Sequence, residues 1–404
     1  MRGKVYILSA FEKGLSTVLL SLGSLIVAYL IGSEDYGKFG ILFSAYLFSS
    51  LINDSGIATS ILNFSLEYTS QRATQLRKFN NSNNIISLLL FLLITSYYVV
   101  TNFSLSWIIS VLLLAIALRI HSKTIIPHSI LIKKNRYKEL NRLTFLSSIG
   151  ALIIAVLLSQ LITDFTLASF YVLSLVALKY ILLYITEHGS FNSISDFAHT
   201  ELAELKDYSS WIFKISLTNQ AFLVLIDFIL SKTISFELLG KYKLDLFLVN
   251  TLIFVIGSSI ERIWIANYSS YSEIPRSYKV NLVVLLYVLL FISIPIHFGV
   301  SAIINFSGKA DMVLSAEDFF LVLSCYVSVP LQQLLLFRAK KTKEFIKPYF
   351  FVLVIIRLLT LMVFLGLVLS IGLNFNIYLY GYATGSLLLF LIPMYFVKYG
   401  LSNK

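Results

Sequence analysis

Glu34-Asp35-Tyr36-Gly37-Lys38-Phe39 and Glu237-Leu238-Leu239-Gly240-Lys241-Tyr242 carry one phrase, E-x-x-G-K-aromatic, 203 positions apart in a chain of 404 residues. Each copy sits in a brief polar gap between two long apolar runs and reads as a turn. A duplicated membrane protein explains this most simply, and duplication is how many membrane carriers build a central site. A second feature repeats in the same order. The basic clusters Lys133-Lys134-Asn135-Arg136 and Lys340-Lys341-Thr342-Lys343 follow their glutamates by 99 and 103 residues.

The composition around these phrases fits a bilayer. Hydrophobic residues make up 57% and charged residues 13%, about half the charged share of a soluble domain, with mean hydropathy +0.83. A span needs about 20 mostly apolar residues. Twelve such runs lie near 10–31, 40–62, 85–101, 105–126, 142–160, 165–186, 208–231, 244–266, 279–300, 316–338, 349–371 and 376–397. They use nearly the whole chain and leave no room for a sizeable soluble domain. The expected fold is all-α and polytopic, with about twelve transmembrane helices in two six-helix repeats around a central cavity. The repeats occupy 1–186 and 208–404, joined by a cytoplasmic linker, 187–207. Because six is even, both repeats enter from the same side and are parallel, related by an axis along the membrane normal.

Net charge is +11, which raises nucleic acid as a partner, but the distribution argues against it. With the N-terminus placed inside, inner segments hold 24 of the 32 lysines and arginines, and outer segments hold Lys38, Lys232, Lys241, Lys243 and Lys309. This bias sets orientation through the positive-inside rule, so both termini are expected in the cytoplasm. The single cysteine, Cys325, falls within a span and excludes an internal disulfide framework and a thiolate metal cluster. No metal site or cofactor is expected.

Charges inside spans carry the functional reading, because each costs roughly 2.5–3.5 kcal/mol at the centre and commonly faces a polar interior. Arg357 lies about eight residues inside its span with Thr360 on the same face. It either lines a cavity or snorkels across about 12 Å to the inner headgroups. The same two readings apply to Lys179. Arg119 and Lys123 share a face at i, i+4, and Arg262 ends the eighth span beside Glu261. Lys214, nearer the inner surface, reads as a snorkelling residue. Ser216, Gln220, Asp227 and Ser231 form a polar stripe down the seventh span. Asp227 is an ion carrier, a partner for a lysine, or a group satisfied between packed helices. Asp54 is a further ion-coupling candidate in the second span. The cations gather toward the inner leaflet, which points to an anionic substrate collected from the cytoplasm.

These pieces resemble the polysaccharide-exporter branch of the multidrug/oligosaccharidyl-lipid/polysaccharide superfamily, in particular the Wzx-type O-antigen flippases. The matching stretches are Gly32 to Phe39, Asp54-Ser55-Gly56-Ile57-Ala58-Thr59, the Lys133–Tyr137 turn, and Ile226-Asp227 followed by the second phrase. The resemblance implies two six-helix bundles that expose a central cavity to each membrane face in turn. It implies an undecaprenyl-pyrophosphate-linked oligosaccharide, an O-antigen or capsule repeat unit, flipped to the periplasmic leaflet of a bacterial inner membrane. A proton or sodium gradient, membrane lipids, and polysaccharide polymerase and chain-length proteins are the implied partners. Two rivals remain. A multidrug or small-solute exporter of the superfamily would share the fold. An integral-membrane O-antigen polymerase would be an enzyme, but it would need a larger outer loop than the short one near 301–315.

Overall fold

The computed structural model describes residues 22–54, 73–134, 136–187, 200–250, 276–306, 312–327 and 343–371, with isolated positions between and beyond them. Among the described residues the regular structure is helical. The chain runs through α1 (Leu22–Ile31), α2 (Ser33–Asp54), α3 (Ala73–Thr101), α4 (Leu105–Lys133), α5 (Tyr137–Leu158) and α6 (Thr166–Glu187). It continues through α7 (Thr200–Thr233), α8 (Phe236–Asn250), α9 (Arg276–Phe306), α10 (Ala316–Cys325) and α11 (Lys343–Ile371). Seven of these are long and apolar enough to cross a membrane. The chain is a multi-pass membrane protein. The elements follow the first eleven apolar runs in order. The twelfth run, most of the 187–207 linker, Arg262 and Lys340-Lys341 lie outside the described residues.

The helix ends follow local chemistry. Gly32, at φ +86°, makes the break between α1 and α2 in a region that L side chains rarely adopt. Ser315 caps α10 by accepting from the Asp318 amide at 3.2 Å, with Glu317 and Asp318 against the positive end of the helix. Asp164 accepts from the Thr166 amide at 2.9 Å where α6 begins. The basic cluster after α4 is a tight turn: Lys134 N–H donates to Ile130 and Arg136 N–H to Leu131, before Arg136 Nε pairs with Glu139 at 2.9 Å.

The repeated phrases are not turns between helices. Each is the first turn and a half of a helix, in α2 and in α8. The acidic residues sit where the helix dipole favours them. Lys38 pairs with Glu34 at 2.9 Å, and Lys241 with Glu237 at 2.8 Å, both at i, i+4. The polar composition that suggests a gap is that of a helix start at the membrane surface.

The two copies pack against each other. Among the described helices α2 has the most neighbours: it contacts α3, α4, α6, α7 and α8. A Cβ on Gly37 would lie 2.0 Å from the Phe236 carbonyl oxygen, and one on Gly240 would lie 1.8 Å from the Ser33 carbonyl oxygen. Positions 33 and 236 are themselves equivalent in the repeat, so the contact is reciprocal. Backbone approach this close needs glycine on both sides. α4, α5 and α6 form a second packed group, with α4 and α5 both against α6, and α7 packs on α11.

Candidate functional site

At the ends of the helices near Ser33, Thr101, Thr233 and Phe236, the side that the charge asymmetry leads one to expect outside, the two halves of the chain close on one another. Tyr98 of α3 stacks on Trp107 of α4 at 5.9 Å and 8°. Its hydroxyl is 3.1 Å from Ser231 Oγ of α7. Phe228 of α7 packs on Tyr97 and Tyr98, and the Lys232 ammonium sits 4.2 Å above the Tyr97 ring. Inward of the glycine crossing, the Lys243 ammonium is shared between Asp227 of α7 and Ser44 Oγ of α2, the latter at 3.0 Å. Asp227 is therefore the partner of a lysine. That lysine, placed by sequence in an outer segment, is nine-tenths buried in α8.

The two central arginines are each held by an asparagine. Arg357 is the middle residue of α11. Its Nε and Nη2 donate to Asn219 Oδ1 of α7 at 3.1 and 2.9 Å, and its guanidinium lies 4.8 Å from the Phe222 ring centre. The guanidinium is thus held at mid-helix and does not reach for the inner headgroups. Thr360, one turn on in the same helix, is buried and donates to the Ile356 carbonyl. Arg119 is the middle residue of α4, which runs on through Pro127 to Lys133, so it sits deeper than its place near the end of run 105–126 suggests. It donates to Asn84 Oδ1 of α3.

Asn84 belongs to a polar seam that sequence reading missed. Its Nδ2 donates to Asn53 Oδ1 at 3.1 Å, and Asn53 Nδ2 donates to the Leu118 carbonyl at 3.3 Å. Asn80 Nδ2 donates to the Ser122 carbonyl at 2.6 Å, and Ser87 Oγ to the Ser49 carbonyl at 2.7 Å. Asn80 Oδ1, Asn83 Nδ2 and Ser49 Oγ are buried without a protein partner, a state that costs about 1–3 kcal/mol per group. The signal was present as Asn80-Asn81-Ser82-Asn83-Asn84, but a run of five polar residues reads as the end of a span.

The remaining candidates separate. Lys123 lies 5.7 Å over Tyr180 of α6, next in sequence to Lys179. Lys214 sits 4.1 Å over Trp211, one turn earlier in α7. Asp54 accepts from the Ala58 amide at 2.8 Å, a local cap. Gln220 and Ser216 are half-buried on α7. Among the described residues no group of three or more His, Cys, Asp or Glu side chains is placed to hold a metal ion. Cys325 is a free, buried thiol at the end of α10.

Comparison with known proteins bears on what this frame is for. In fold it is similar to the Vibrio cholerae MATE transporter VcmN, with TM-score 0.56, 11% identity and coverage of 96% of this chain and 95% of that one. It is also similar to the MATE multidrug transporter DinF-BH, with TM-score 0.55, 14% identity and coverage of 98% and 95%. At such identities the likeness is one of fold alone. No curated protein matches in sequence. A family model described as polysaccharide biosynthesis protein matches residues 26–306, well over half of the chain. The chain belongs to that polysaccharide biosynthesis family, on a transporter fold of the MATE type.

Proposed function

We propose that this protein flips a lipid-linked oligosaccharide, borne on undecaprenyl pyrophosphate, from the cytoplasmic to the periplasmic leaflet of a bacterial inner membrane. The observation that carries the reading is the pair of central arginines, one in each half. Arg119 and Arg357 are each oriented by a neutral amide from a neighbouring helix and leave their charge uncompensated by any acid in those contacts. A bare phosphate costs tens of kcal/mol to carry through hydrocarbon by Born estimates. Guanidinium is the side chain best shaped to offset that cost by forked hydrogen bonds. The Asn80–Asn84 seam adds amides and hydroxyls, the groups that pair with sugar hydroxyls. With the outer ends packed shut, the conformation is one that loads from the cytoplasm, and alternating access delivers the headgroup outward. Lys123, Lys179 and Arg262 join the cationic path. An ion gradient drives the cycle, and a polymerase and chain-length protein receive the product. The protein moves its substrate without making or breaking its covalent bonds.

The multidrug-exporter reading draws on the fold likeness, but an exporter of cationic drugs needs an acid free to meet them. Asp227 and Asp245, buried among the described residues, are each paired with a basic side chain.

The test is the sidedness of the lipid-linked unit in spheroplasts lacking the protein, read with a membrane-impermeant sugar label. Loss of outer labelling with accumulation inside supports flipping. Single units that reach the outside but fail to lengthen would move the protein to polymerisation. Normal units and normal polymer would make it an exporter of something else.

A further inference from the structure

One ionisable pair in the membrane interior takes no part in holding the headgroup in this reading. Asp245 of α8 and His297 of α9 are 0% and 2% exposed. Imidazole Nδ1 is 2.8 Å from Asp245 Oδ1. The other carboxylate oxygen, Oδ2, accepts from the Leu314 amide at 3.1 Å, in the segment that leads into α10. The imidazole face lies on Phe319 of α10, with centres 3.9 Å apart and planes 10° apart. Asp245 is nine residues from the outer end of α8, and His297 is nine from the outer end of α9. Both are therefore about 13 Å deep. One buried carboxylate ties together three elements.

Among the described residues, the neighbouring charges on α8, α2 and α7 are engaged elsewhere. On α8, Lys241 pairs with Glu237 and Lys243 with Asp227. On α2, Glu34 and Asp35 both pair with Lys38. On α7, Lys232 lies over Tyr97 and Lys214 over Trp211. The described length of α9 from Val284 to Phe306 adds Tyr287 as its other ionisable group. On α10, Glu317 and Asp318 lie in the exposed first turn, and Cys325 lies at the far end. Among the described residues, His297 is the one basic side chain that contacts Asp245.

With a neutral imidazole the sealed pair carries one net negative charge. One proton added at Nε2, with no other bond changed, converts it to an imidazolium–carboxylate pair of zero net charge. An uncompensated buried ion costs several kcal/mol and a closely paired one far less, and intramembrane Asp and His are the groups from which proton relays are built. We propose that Asp245–His297 is a binding site for one proton, and that its occupancy latches the outer ends of α8, α9 and α10 shut. Water reaching the pair when those ends part removes the reason to hold the proton, which leaves Nε2 to solvent. The sign follows by linkage: the closed form binds the proton more tightly, so acid favours closure and alkali favours opening. This holds whatever the chain carries.

The experiment uses the full chain in lipid nanodiscs, with Cys325→Ala and spin labels at Phe103→Cys and Phe306→Cys. Those positions are 80% and 96% exposed at the outer ends of the two halves. The interspin distance is read from pH 5 to pH 9. The parent is expected to hold one short distance in acid and to gain a longer population as pH rises. Asp245→Asn, neutral without a proton and close in shape, is expected to keep the short distance at every pH. His297→Gln is expected to show the longer population even in acid. Nitrogen NMR of His297 in the parent is expected to show an imidazolium in the closed form. A parent without the titration, an Asp245→Asn variant that keeps it unchanged, or a neutral His297 in the closed form would each overturn the proposal. No substrate is present, so the result stands apart from the spheroplast test, and either can fail alone.

Discussion

Gly37→Ala tests whether the crossing of the two phrases sets the closed state. The new methyl would meet the Phe236 carbonyl oxygen at 2.0 Å and its carbon at 2.9 Å. A Cα–H···O contact between helices sits at about 3.3 Å or more, so α2 and α8 must part by at least ~1.3 Å. The obstacle is backbone, with no rotamer to turn away. Overpacking typically costs about 1–3 kcal/mol, and this position belongs at the upper end. If that cost falls on the closed form alone, its population against the open form drops by ~30–150-fold for 2–3 kcal/mol. The control is three residues along. At Gly40 a Cβ would meet Lys243 Cγ at 2.9 Å, a side chain and not backbone, so Gly40→Ala is expected to cost less than Gly37→Ala. The assay places a cysteine at Ser44, on the same stripe of α2, in a Cys325→Ala background. An impermeant maleimide added outside should label the Gly37→Ala protein many times faster than the parent, with Gly40→Ala close to the parent. Equal labelling of all three, with unchanged thermal stability, would show that the crossing does not hold the outer face shut.

Other expectations follow from the same contacts. Asp227→Asn or Lys243→Met alone leaves one buried charge unpaired and should cost about 3–5 kcal/mol of stability, while the double variant recovers most of it, measured as melting temperature in detergent. Arg357→Lys keeps the charge but loses the fork on Asn219. It should impair flipping nearly as much as Arg357→Ala, and a variant with full activity would remove Asn219 from the account. Asn84→Leu withdraws the acceptor of Arg119 and should reduce flipping no further when combined with Arg119→Ala, because residues that act as a unit are not additive. The readout for both is outer-leaflet labelling of the lipid-linked unit.

Much of the frame was legible because hydropathy and length govern what crosses a bilayer. Runs 105–126 and 165–186 correspond to α4 and α6, and the duplication was visible in a few residues. The errors have a common cause: polarity was read as exposure. The phrases are surface-polar and helical at once, so they looked like gaps. Asn80–Asn84 delayed the expected start of the third span to residue 85, whereas α3 begins at Ala73. Asp245 stands at the start of the eighth run, close to Lys241 and Lys243, and neither it nor His297 in the ninth run stands out along the chain. Partners across the fold are invisible to such reading. Asn219 is 138 positions from Arg357, and His297 is 52 from Asp245. Nothing along the chain marks which amide or imidazole a buried charge will meet.

The reciprocity of Gly37 and Gly240 has a further consequence. A contact in which residue i meets j and j meets i is what two identical subunits make at a two-fold axis. Carried within one chain, the contact no longer requires its two sides to be identical. Asp35 and Tyr36 answer to Leu238 and Leu239, and Phe39 to Tyr242, with Tyr36, Leu239, Phe39 and Tyr242 all buried. The glycines are denied that freedom. A side chain on either one strikes the opposite backbone, so a single substitution in one copy damages the seat of both, and the symmetry of a dimer persists at the one point where its two backbones touch.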